Sequence, residues 1–224
     1  MGYNTLLRMP LVPFLSWCIQ RPLMAKLDLR KELKKYYTAR KKPEVIDVPP
    51  GSFLTIVGRG EPGGEAYSAA MQALYGLSYT LKFKCKEEGR DFTVMTLEGL
   101  WWWDNESIFT LKDAPPREEW NWKSMIRQPD FITPEMVGEI RPDVREKRGP
   151  AVDDVVLEGF HEGLSAQIMH VGPWSDEGPT GERLHAFIEE NGYRMRGRHH
   201  EIYLSDPRRS KPENLKTILR QPIE

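Results

Sequence analysis

Two aromatic-rich stretches, one in each half of the chain, constrain the fold more than any other feature. Residues 97–104 read Leu-Glu-Gly-Leu-Trp-Trp-Trp-Asp, and residues 200–206 read His-Glu-Ile-Tyr-Leu-Ser-Asp. Both are typical of β-strands, both follow a glycine-rich turn and a helical segment, and each carries one glutamate near its start. A carboxylate in an apolar strand is costly to bury unless it has a partner or a chemical role. The pattern therefore predicts a duplicated fold in which Glu98 and Glu201 face one shared cleft.

The order of the predicted elements supports this duplication. In the first half a β-branched strand at 52–58, a helix from 65 to about 77 and a strand at 98–103 follow one another, and the stretch at 82–85 either continues the helix or turns. In the second half a strand at 164–171, a helix at 180–190 and a terminal pair of strands repeat that order. We therefore predict an α+β fold, built as a tandem pseudo-twofold duplication of a β-α-β-β unit with a ligand cleft between the two halves.

The polar stretch at 145–150 is the candidate boundary between the halves. It assigns residues 26–150 to the first β-α-β-β half and residues 151–224 to the second. Residues 1–25 are predicted to be a loosely ordered extension. Their apolar run at 11–19 resembles a signal peptide, but the region is interrupted by prolines and has no small-residue cleavage site.

Several local signals predict single elements. The stretches at 107–111 and 120–128 read as further strands. Pro134 opens a helix, and Pro142 predicts that this helix is interrupted. The stretch at 193–204 reads as a hairpin that turns near its glycine.

Composition narrows the range of partners. The 32 Lys and Arg residues nearly balance the 33 Asp and Glu residues, so a net charge of -1 gives no reason to expect nucleic-acid or membrane binding. No apolar run approaches the length of a membrane span. Two cysteines, Cys18 and Cys85, are too few for a disulfide framework, so a cytoplasmic location is predicted. The basic segment at 28–42 is either a solvated helix face or a nucleic-acid arm, and we favour the former.

Six stretches carry a resemblance to a known family. They are Leu97–Trp102, Trp120–Trp122, Gln128–Thr133, Ile168–Pro173, His199–Pro207 and Leu215–Arg220. Over about residues 26–223 the chain resembles the gyrase-inhibitor-like (GyrI-like) small-molecule-binding family, in its stand-alone bacterial branch without a DNA-binding head. The resemblance implies two β-α-β-β units around a pseudo-twofold axis. It also implies that Glu201 is the glutamate of the cleft, and that Trp174 stands where many relatives have tyrosine.

Glu201 has the strongest claim to a chemical role. On a strand Glu201 and Tyr203 share one face, while His200 lies on the other. Aromatic walls would raise the pKa of Glu201 by desolvation, as a general base working near neutral pH requires. The alternative is a structural ion pair between Glu201 and one of the nearby arginines.

Glu98 and the tryptophans are more ambiguous candidates. Glu98 is a candidate because, in the predicted duplication, it occupies the position in the first half that corresponds to Glu201 in the second. A structural role is equally consistent with the sequence. By parity Glu98 and Trp102 share a face, and Trp101 takes the opposite one. Large flat rings suit either a core or a site that stacks planar aromatic ligands. The candidates for ligand binding are Trp102, Trp120, Trp122 and Trp174.

Metal and nucleophilic chemistry have little support. His199, His200 and Glu201 alternate between strand faces, so they do not converge on one ion, and no helix carries a His-Glu-x-x-His motif. No serine or cysteine has the context of an activated nucleophile. We therefore predict no metal and no cofactor. His170 is either a structural histidine or a residue that orients a water or a ligand hydroxyl.

The stand-alone relatives resemble hydrolases that open the cyclopropane ring of DNA-alkylating natural products, and this implies the function we predict. Glu201, with Glu98 as a second candidate, would activate a water, and Tyr203 would donate a hydrogen bond to the developing phenolate. The alternative is a non-catalytic drug-sequestering or effector-sensing module that binds aromatic cations. In either case the partner is a planar aromatic small molecule, with no direct contact to nucleic acid or membrane. The sequence is compatible with a monomer or a homodimer.

Overall fold

The structure is a computed structural model that describes residues 25–103 and 114–224. The extension predicted at 1–25 lies outside the described residues except for its last position, and the strand predicted at 107–111 lies wholly outside them. Within the described ranges the α-helices are α1 (Leu29–Glu32), α2 (Glu65–Glu87), α3 (Pro134–Arg148) and α4 (Gly178–Glu190). The strands are β1 (Glu44–Val48), β2 (Gly51–Arg59), β3 (Leu97–Trp102), β4 (Asn121–Gln128), β5 (Val156–Phe160), β6 (Gly163–Val171), β7 (His199–Tyr203) and β8 (Lys216–Pro222).

All eight strands belong to one antiparallel sheet in the order β1-β6-β8-β7-β3-β4-β2-β5. The first strand of each half pairs with the other half, because β1 lies beside β6 and β5 lies beside β2. The two halves also meet at the centre of the sheet, where β3 pairs with β7. The two edge pairs and the central pair therefore join the halves through backbone hydrogen bonds at three places.

The strand lengths and registers confirm the predicted duplication. β1 and β5 both have five residues, and β2 and β6 both have nine; each second-half strand begins 112 residues after its counterpart, at 156 after 44 and at 163 after 51. Gly60 and Gly172 are separated by the same interval, and both have positive φ angles, of 114° and 143°. The turn into each helix therefore needs glycine for the same backbone reason.

One row of paired residues crosses the six inner strands and shows how the helices are placed. It runs Ile168, Leu219, Glu201, Gly99, Ser124, Ile56. Paired residues of an antiparallel sheet point to the same side. Ile168 and Leu219 pack with the core of α4, and Ile56 packs with the core of α2. Both helices therefore cover the same face of the sheet, with the central strands β3 and β7 between them.

Two helices run past the residues at which the sequence predicted an end or an interruption. α2 continues past the predicted end at Leu77 to Glu87, because Leu81 and Cys85 extend its buried stripe. α3 runs through Pro142 to Arg148, since this proline is exposed and the carbonyl group that it leaves unbonded, that of Gly138, is also on the exposed side.

The hairpin predicted at 193–204 was also wrong. Its first part pairs with the end of the chain instead of β7, through hydrogen bonds from Arg194 N to Glu224 O and from Arg196 N to Pro222 O. The helix start predicted at Pro134 is confirmed, with Thr133 as the N-cap that accepts from Met136 N. Among the described helices, none is long and apolar enough to cross a membrane.

Candidate active site between the two helices

The floor of the candidate site is formed by the central strand pair. Gly99 lies opposite Glu201, and Trp101 lies opposite His199, so these four residues point to the helix side of the sheet. Tyr203, two residues after Glu201, shares that side. The prediction that Glu201 and Tyr203 share a face is therefore confirmed by the register.

Glu98 does not face this cleft, and the prediction that it shares a cleft with Glu201 was wrong. Glu98 lies opposite Ile202, on the other side of the sheet from Glu201. The reason is a displacement of one residue in the repeat. In the symmetric row the counterpart of Glu201 is Gly99, whereas the sequence pattern makes Glu98 its counterpart. Since the strand period is two, that single step moves a side chain to the opposite face.

Trp102 shares the face of Glu98, so its assignment to the cleft was also wrong. The guanidinium carbon of Arg198 lies 3.5 Å from the centroid of the Trp102 ring, which is a cation–π contact on the side away from the helices. Trp101, which the same parity argument had turned away from Glu98, is the tryptophan that lies beside Glu201. The predicted register, which differs by one residue from the observed one, thus placed Trp102 in the cleft where the structure has Trp101.

Glu201 is buried, with 8% of its surface exposed. Burial raises the pKa of Glu201 to about 7, and a hydrogen bond with Tyr203 and the positive charge of His200 oppose that rise. The carboxyl group therefore titrates in the range where a general base is most effective at neutral pH.

A second carboxyl group, that of Glu177, was missed by the sequence reasoning. It lies immediately before α4, is 5% exposed, and its Oε1 atom has no hydrogen-bond partner among the described residues. Burial and then the charge of Glu201 raise the pKa of Glu177 well above its usual range. Two neighbouring buried carboxyl groups do not ionise together, so near neutral pH the pair holds a proton and at most one negative charge. The signal available in the sequence was the position of Glu177 at a helix start, but the predicted helix began at Thr180.

His199 lies beside the carboxyl pair without neutralising it. Its Nε2 atom is 3.6 Å from Oε1 of Glu201. Burial, with the neighbouring His185 and His200, lowers the pKa of His199 to about 3, so the imidazole is neutral at working pH. The described ranges contain no group of three His, Cys, Asp or Glu side chains arranged to hold a metal ion.

Trp101 and Tyr203 meet directly above Gly99. The Trp101 indole Nε1–H donates a hydrogen bond to Oη of Tyr203 over 3.0 Å. A Cβ atom at position 99 would lie 3.0 Å from Trp101 Nε1 and 3.1 Å from Tyr203 Oη, closer than these atoms tolerate without moving. The absence of a side chain at Gly99 therefore lets the two aromatic residues approach each other on the floor.

Aromatic side chains form the walls. Tyr67 of α2 stacks on Trp101 with ring centroids 6.0 Å apart and an angle of 22° between the planes, and it contacts Trp122 edge-on at 5.2 Å. Trp174 contacts Tyr203 edge-on at 5.7 Å and is 43% exposed, so its ring lies between Tyr203 and the solvent.

The remaining predicted tryptophans lie deeper on the helix side. Trp120 and Trp122 are 9% and 2% exposed, and they pack behind Trp101 and Tyr67 respectively. The structure thus brings Trp120, Trp122 and Trp174 to the predicted side of the sheet, and Tyr67 joins them from α2. Tyr67 gave no signal in the sequence because it is one apolar residue among many on an amphipathic helix.

His170 supports the loop that carries Trp174. Its Nδ1 atom is 3.1 Å from Oγ1 of Thr180, and its Nε2 atom is 3.1 Å from the carbonyl oxygen of Pro173. Both ring nitrogens are therefore engaged within the loop and the first turn of α4. A cavity of about 410 Å³ lies beside His170, and Trp101, Glu201 and Tyr203 are not among its lining residues.

Glu98 belongs to a buried charge network on the opposite face. His200 Nδ1 is 2.9 Å from Oε1 of Glu162, and His200 Nε2 is 3.1 Å from Oε2 of Glu98 in an ion pair without hydrogen-bond alignment. The Tyr37 hydroxyl donates to Glu98 over 2.7 Å, and Arg220 Nη1 donates to Oε2 of Glu162 over 3.0 Å. These contacts give Glu98 a structural role beneath the floor.

The first prediction concerns Gly99, because the packing of the floor depends on it. Gly99→Ala is expected to lower the free energy of unfolding by about 1–3 kcal/mol, since the new methyl group must push Trp101 or Tyr203 away. Urea unfolding followed by tryptophan fluorescence measures the change. Gly159→Ala is the matched control in β5, where an added Cβ meets nothing within 4 Å, and it is expected to be neutral or slightly stabilising. Equal effects of the two substitutions would contradict the close approach at Gly99.

Three comparisons with known proteins bear on this site. The sequence model of the GyrI-like small molecule binding domain matches residues 41–224. The crystal structure of an uncharacterized conserved protein from Listeria innocua is 44% identical, with a TM-score of 0.81, over 89% of this chain and 100% of that chain. The crystal structure of a hydrolase from Listeria innocua is 41% identical, with a TM-score of 0.76, over the same shares of the two chains.

More distant proteins share the fold alone. The crystal structure of the EcmrR C-terminal domain has a TM-score of 0.53 at 11% identity, over 82% of this chain and 97% of that chain. A search of curated proteins finds no match to this chain.

Proposed function

The chain belongs to the GyrI-like family of small-molecule-binding domains, and from this premise we propose that it is a hydrolase of strained cyclopropanes in planar aromatic DNA-alkylating compounds. The observation that carries the proposal is the burial of two neighbouring carboxyl groups, those of Glu177 and Glu201, on the side of the sheet where Tyr203 meets aromatic rings. The 41% identity to a protein described as a hydrolase agrees with a catalytic role.

The proposed reaction adds one water across a carbon–carbon bond. The Glu201 carboxylate removes a proton from a water while the water oxygen forms a bond to the cyclopropyl methylene carbon. The bond between that carbon and the conjugated ring breaks, and its electron pair becomes the charge of a phenolate. The proton held by Glu201 then passes to the phenolate, which leaves as the phenol. No oxidant or reductant is consumed, and ring strain supplies much of the driving force.

Each residue of the cleft has one part in this scheme. Tyr203 donates a hydrogen bond to the oxygen on which charge develops, which is where electrostatic stabilisation lowers the barrier most. Glu177 stays protonated, so the pair carries a single negative charge and that charge lies on Glu201. Trp174 offers an exposed planar surface for a flat ligand, and the stacked rings of Tyr67 and Trp101 keep water away from the buried groups.

The carboxyl pair also supports a second candidate function. A single negative charge enclosed by aromatic rings is a favourable site for a lipophilic aromatic cation. The chain would then sequester or sense such a cation, and Glu201 would act as a charge partner without chemistry.

Product analysis distinguishes the two functions. Purified protein is incubated with an excess of a cyclopropane-bearing DNA alkylator, and mass spectrometry follows the product heavier by one water. More than one equivalent of that product supports hydrolysis. Tight stoichiometric binding with no added water supports sequestration and rejects the proposed reaction.

The pH dependence gives a second prediction. Because the pKa of Glu201 is about 7 and its anion is the base, kcat/KM is expected to rise about tenfold per pH unit below 7 and to level off above it. Initial rates between pH 5 and 9, in buffers of constant ionic strength, measure the profile. The compound's own hydrolysis is subtracted at each pH. A flat profile would rule out a base that titrates near neutral pH.

A further inference from the structure

We propose that Trp101 is a positioning residue whose indole N–H fixes the direction in which the Tyr203 hydroxyl donates its hydrogen bond. The inference deepens the proposed hydrolase function and rests on it for its catalytic consequence. Trp101 would not contact the reacting atoms through its N–H group. It would act through Tyr203.

The argument begins with the donor and acceptor capacity of the two groups. An indole N–H only donates, whereas a tyrosine hydroxyl carries one proton and can also accept. The distance of 3.0 Å from Trp101 Nε1 to Tyr203 Oη is that of a hydrogen bond in which the hydroxyl oxygen accepts. The Tyr203 proton therefore points away from Trp101. Glu201 lies on the same face and accepts this hydrogen bond before a ligand binds, so the proton is already directed into the cleft, where the phenolate oxygen accepts it in the proposed reaction.

The surroundings hold Trp101 in place. The ring is 3% exposed, Tyr67 stacks on one side of it, and Trp120 contacts it edge-on at 6.0 Å. Gly99 beneath it provides the space for the indole nitrogen and the hydroxyl to meet. An N–H that is held this rigidly orients its acceptor without further loss of side-chain entropy.

Tyr203 remains a donor throughout the working range of pH. Burial, followed by the charges of Glu201, Tyr67 and Glu177, raises the pKa of Tyr203 well above its usual range. The hydroxyl is therefore protonated when Glu201 ionises. Trp101 and Tyr203 lie two residues to either side of the central Gly99–Glu201 pair, and their side chains meet over Gly99, which has no side chain.

Replacing one atom of Trp101 tests the proposal. β-(3-Benzothienyl)alanine at position 101 keeps the bicyclic shape and substitutes sulfur for the N–H group. The expected result is a fall in kcat of about fivefold to tenfold, the effect of losing one hydrogen bond between neutral groups, with KM and thermal midpoint unchanged. The same replacement at Trp102, which lies on the opposite face, is the control and is expected to leave kcat unchanged. An unchanged kcat at position 101, or an equal loss at both positions, overturns the proposal.

A spectroscopic measurement separates this inference from the proposed reaction. In protein labelled with ¹⁵N-tryptophan, the Trp101 indole proton resonance is assigned by the Trp101→Phe variant. Tyr203→Phe removes the acceptor, so this resonance is expected to shift upfield by more than any other indole proton, and its hydrogen exchange to accelerate. A resonance that does not move overturns the positioning role even if the enzyme turns over. A shift without any turnover in the unmodified protein keeps the positioning role and rejects the hydrolase.

Discussion

Glu201→Gln is expected to reduce turnover by at least about 10²-fold while most of the affinity for a neutral planar ligand remains. Gln keeps the shape of the side chain and can still accept a hydrogen bond from Tyr203, but it does not remove a proton from water. Product formation by mass spectrometry and ligand binding by tryptophan fluorescence measure the two effects separately. Loss of binding together with turnover would instead make Glu201 a binding residue.

Glu98→Gln is the control for this experiment, since Glu98 lies on the opposite face of the same sheet. It keeps the oxygen that accepts from the Tyr37 hydroxyl, so the network beneath the floor is altered as little as possible. Turnover by the folded variant is expected to stay within about threefold of the unmodified protein. Equal losses for Glu98→Gln and Glu201→Gln would restore the shared cleft that the register excludes.

The same substitution at Glu201 is expected to stabilise the protein above neutral pH. A carboxyl group with a pKa of about 7 in the folded chain and about 4.3 in the unfolded chain keeps its proton longer when folded. Stability is therefore lost as the pH rises from about 4.3 to 7, and the full cost is present above 7. At pH 8 Glu201→Gln should raise the free energy of unfolding by about 1–3 kcal/mol, and at pH 4 the difference should disappear.

The second large effect concerns the buried network beneath the floor. Glu162→Gln is expected to lower the free energy of unfolding by about 3–5 kcal/mol, because it leaves the charges of His200 and Arg220 inside the protein with one anion fewer. Both side chains are buried, with 1% and 2% of their surfaces exposed. Urea unfolding at pH 6 measures the loss. The control is Asp153→Asn, which breaks the exposed ion pair with Arg145 and should cost under about 1 kcal/mol.

The pH dependence of stability identifies the network independently. Although burial alone would raise the pKa of Glu162, the positive charges of His200 and Arg220 lower it to about 2, so its contribution is complete above about 4.3 and is lost as the pH falls toward 2. Burial alone would lower the pKa of His200, but Glu162 and then Glu98 raise it to about 9, so its contribution is complete below about 6.5 and is lost as the pH rises through 9. In Glu162→Gln the free energy of unfolding should fall less than in the unmodified protein, both as the pH drops toward 2 and as it rises through 9. Parallel curves would assign the titrations to other groups.

Glu98 and His200 occupy equivalent positions in the two halves, and their opposite charges explain why this network exists. The row of paired residues makes Gly99 and Glu201 counterparts, so Glu98 and His200, one residue before each, are counterparts too. Identical charged residues at these positions would repel each other across the axis. A glutamate opposite a histidine is mutually favourable, and only one half then needs to carry the acid of the cleft on the other face.

Local sequence patterns were sufficient to predict the duplicated order of strands and helices. A β-branched strand, an amphipathic helix and an aromatic strand each carry their own periodicity, so β2, α4 and β6 were placed within two residues of their observed ends. Alternation along β7 was also sufficient to put Glu201 and Tyr203 on one face. These properties depend on residues close together in the chain.

The tertiary structure decided which faces of the two halves meet. The register between β3 and β7 joins residues about a hundred positions apart, and one step in it turned Glu98 and Trp102 away and brought Gly99 and Trp101 to the floor. The pairing of Glu177 with Glu201 likewise depends on how α4 lies over the sheet. The sequence by itself determined the main strands and helices and which residues of a strand share a face, because those follow from short-range periodicity. Only packing between distant segments decided which carboxyl groups share a cleft, because their separation is set by strand register and helix placement.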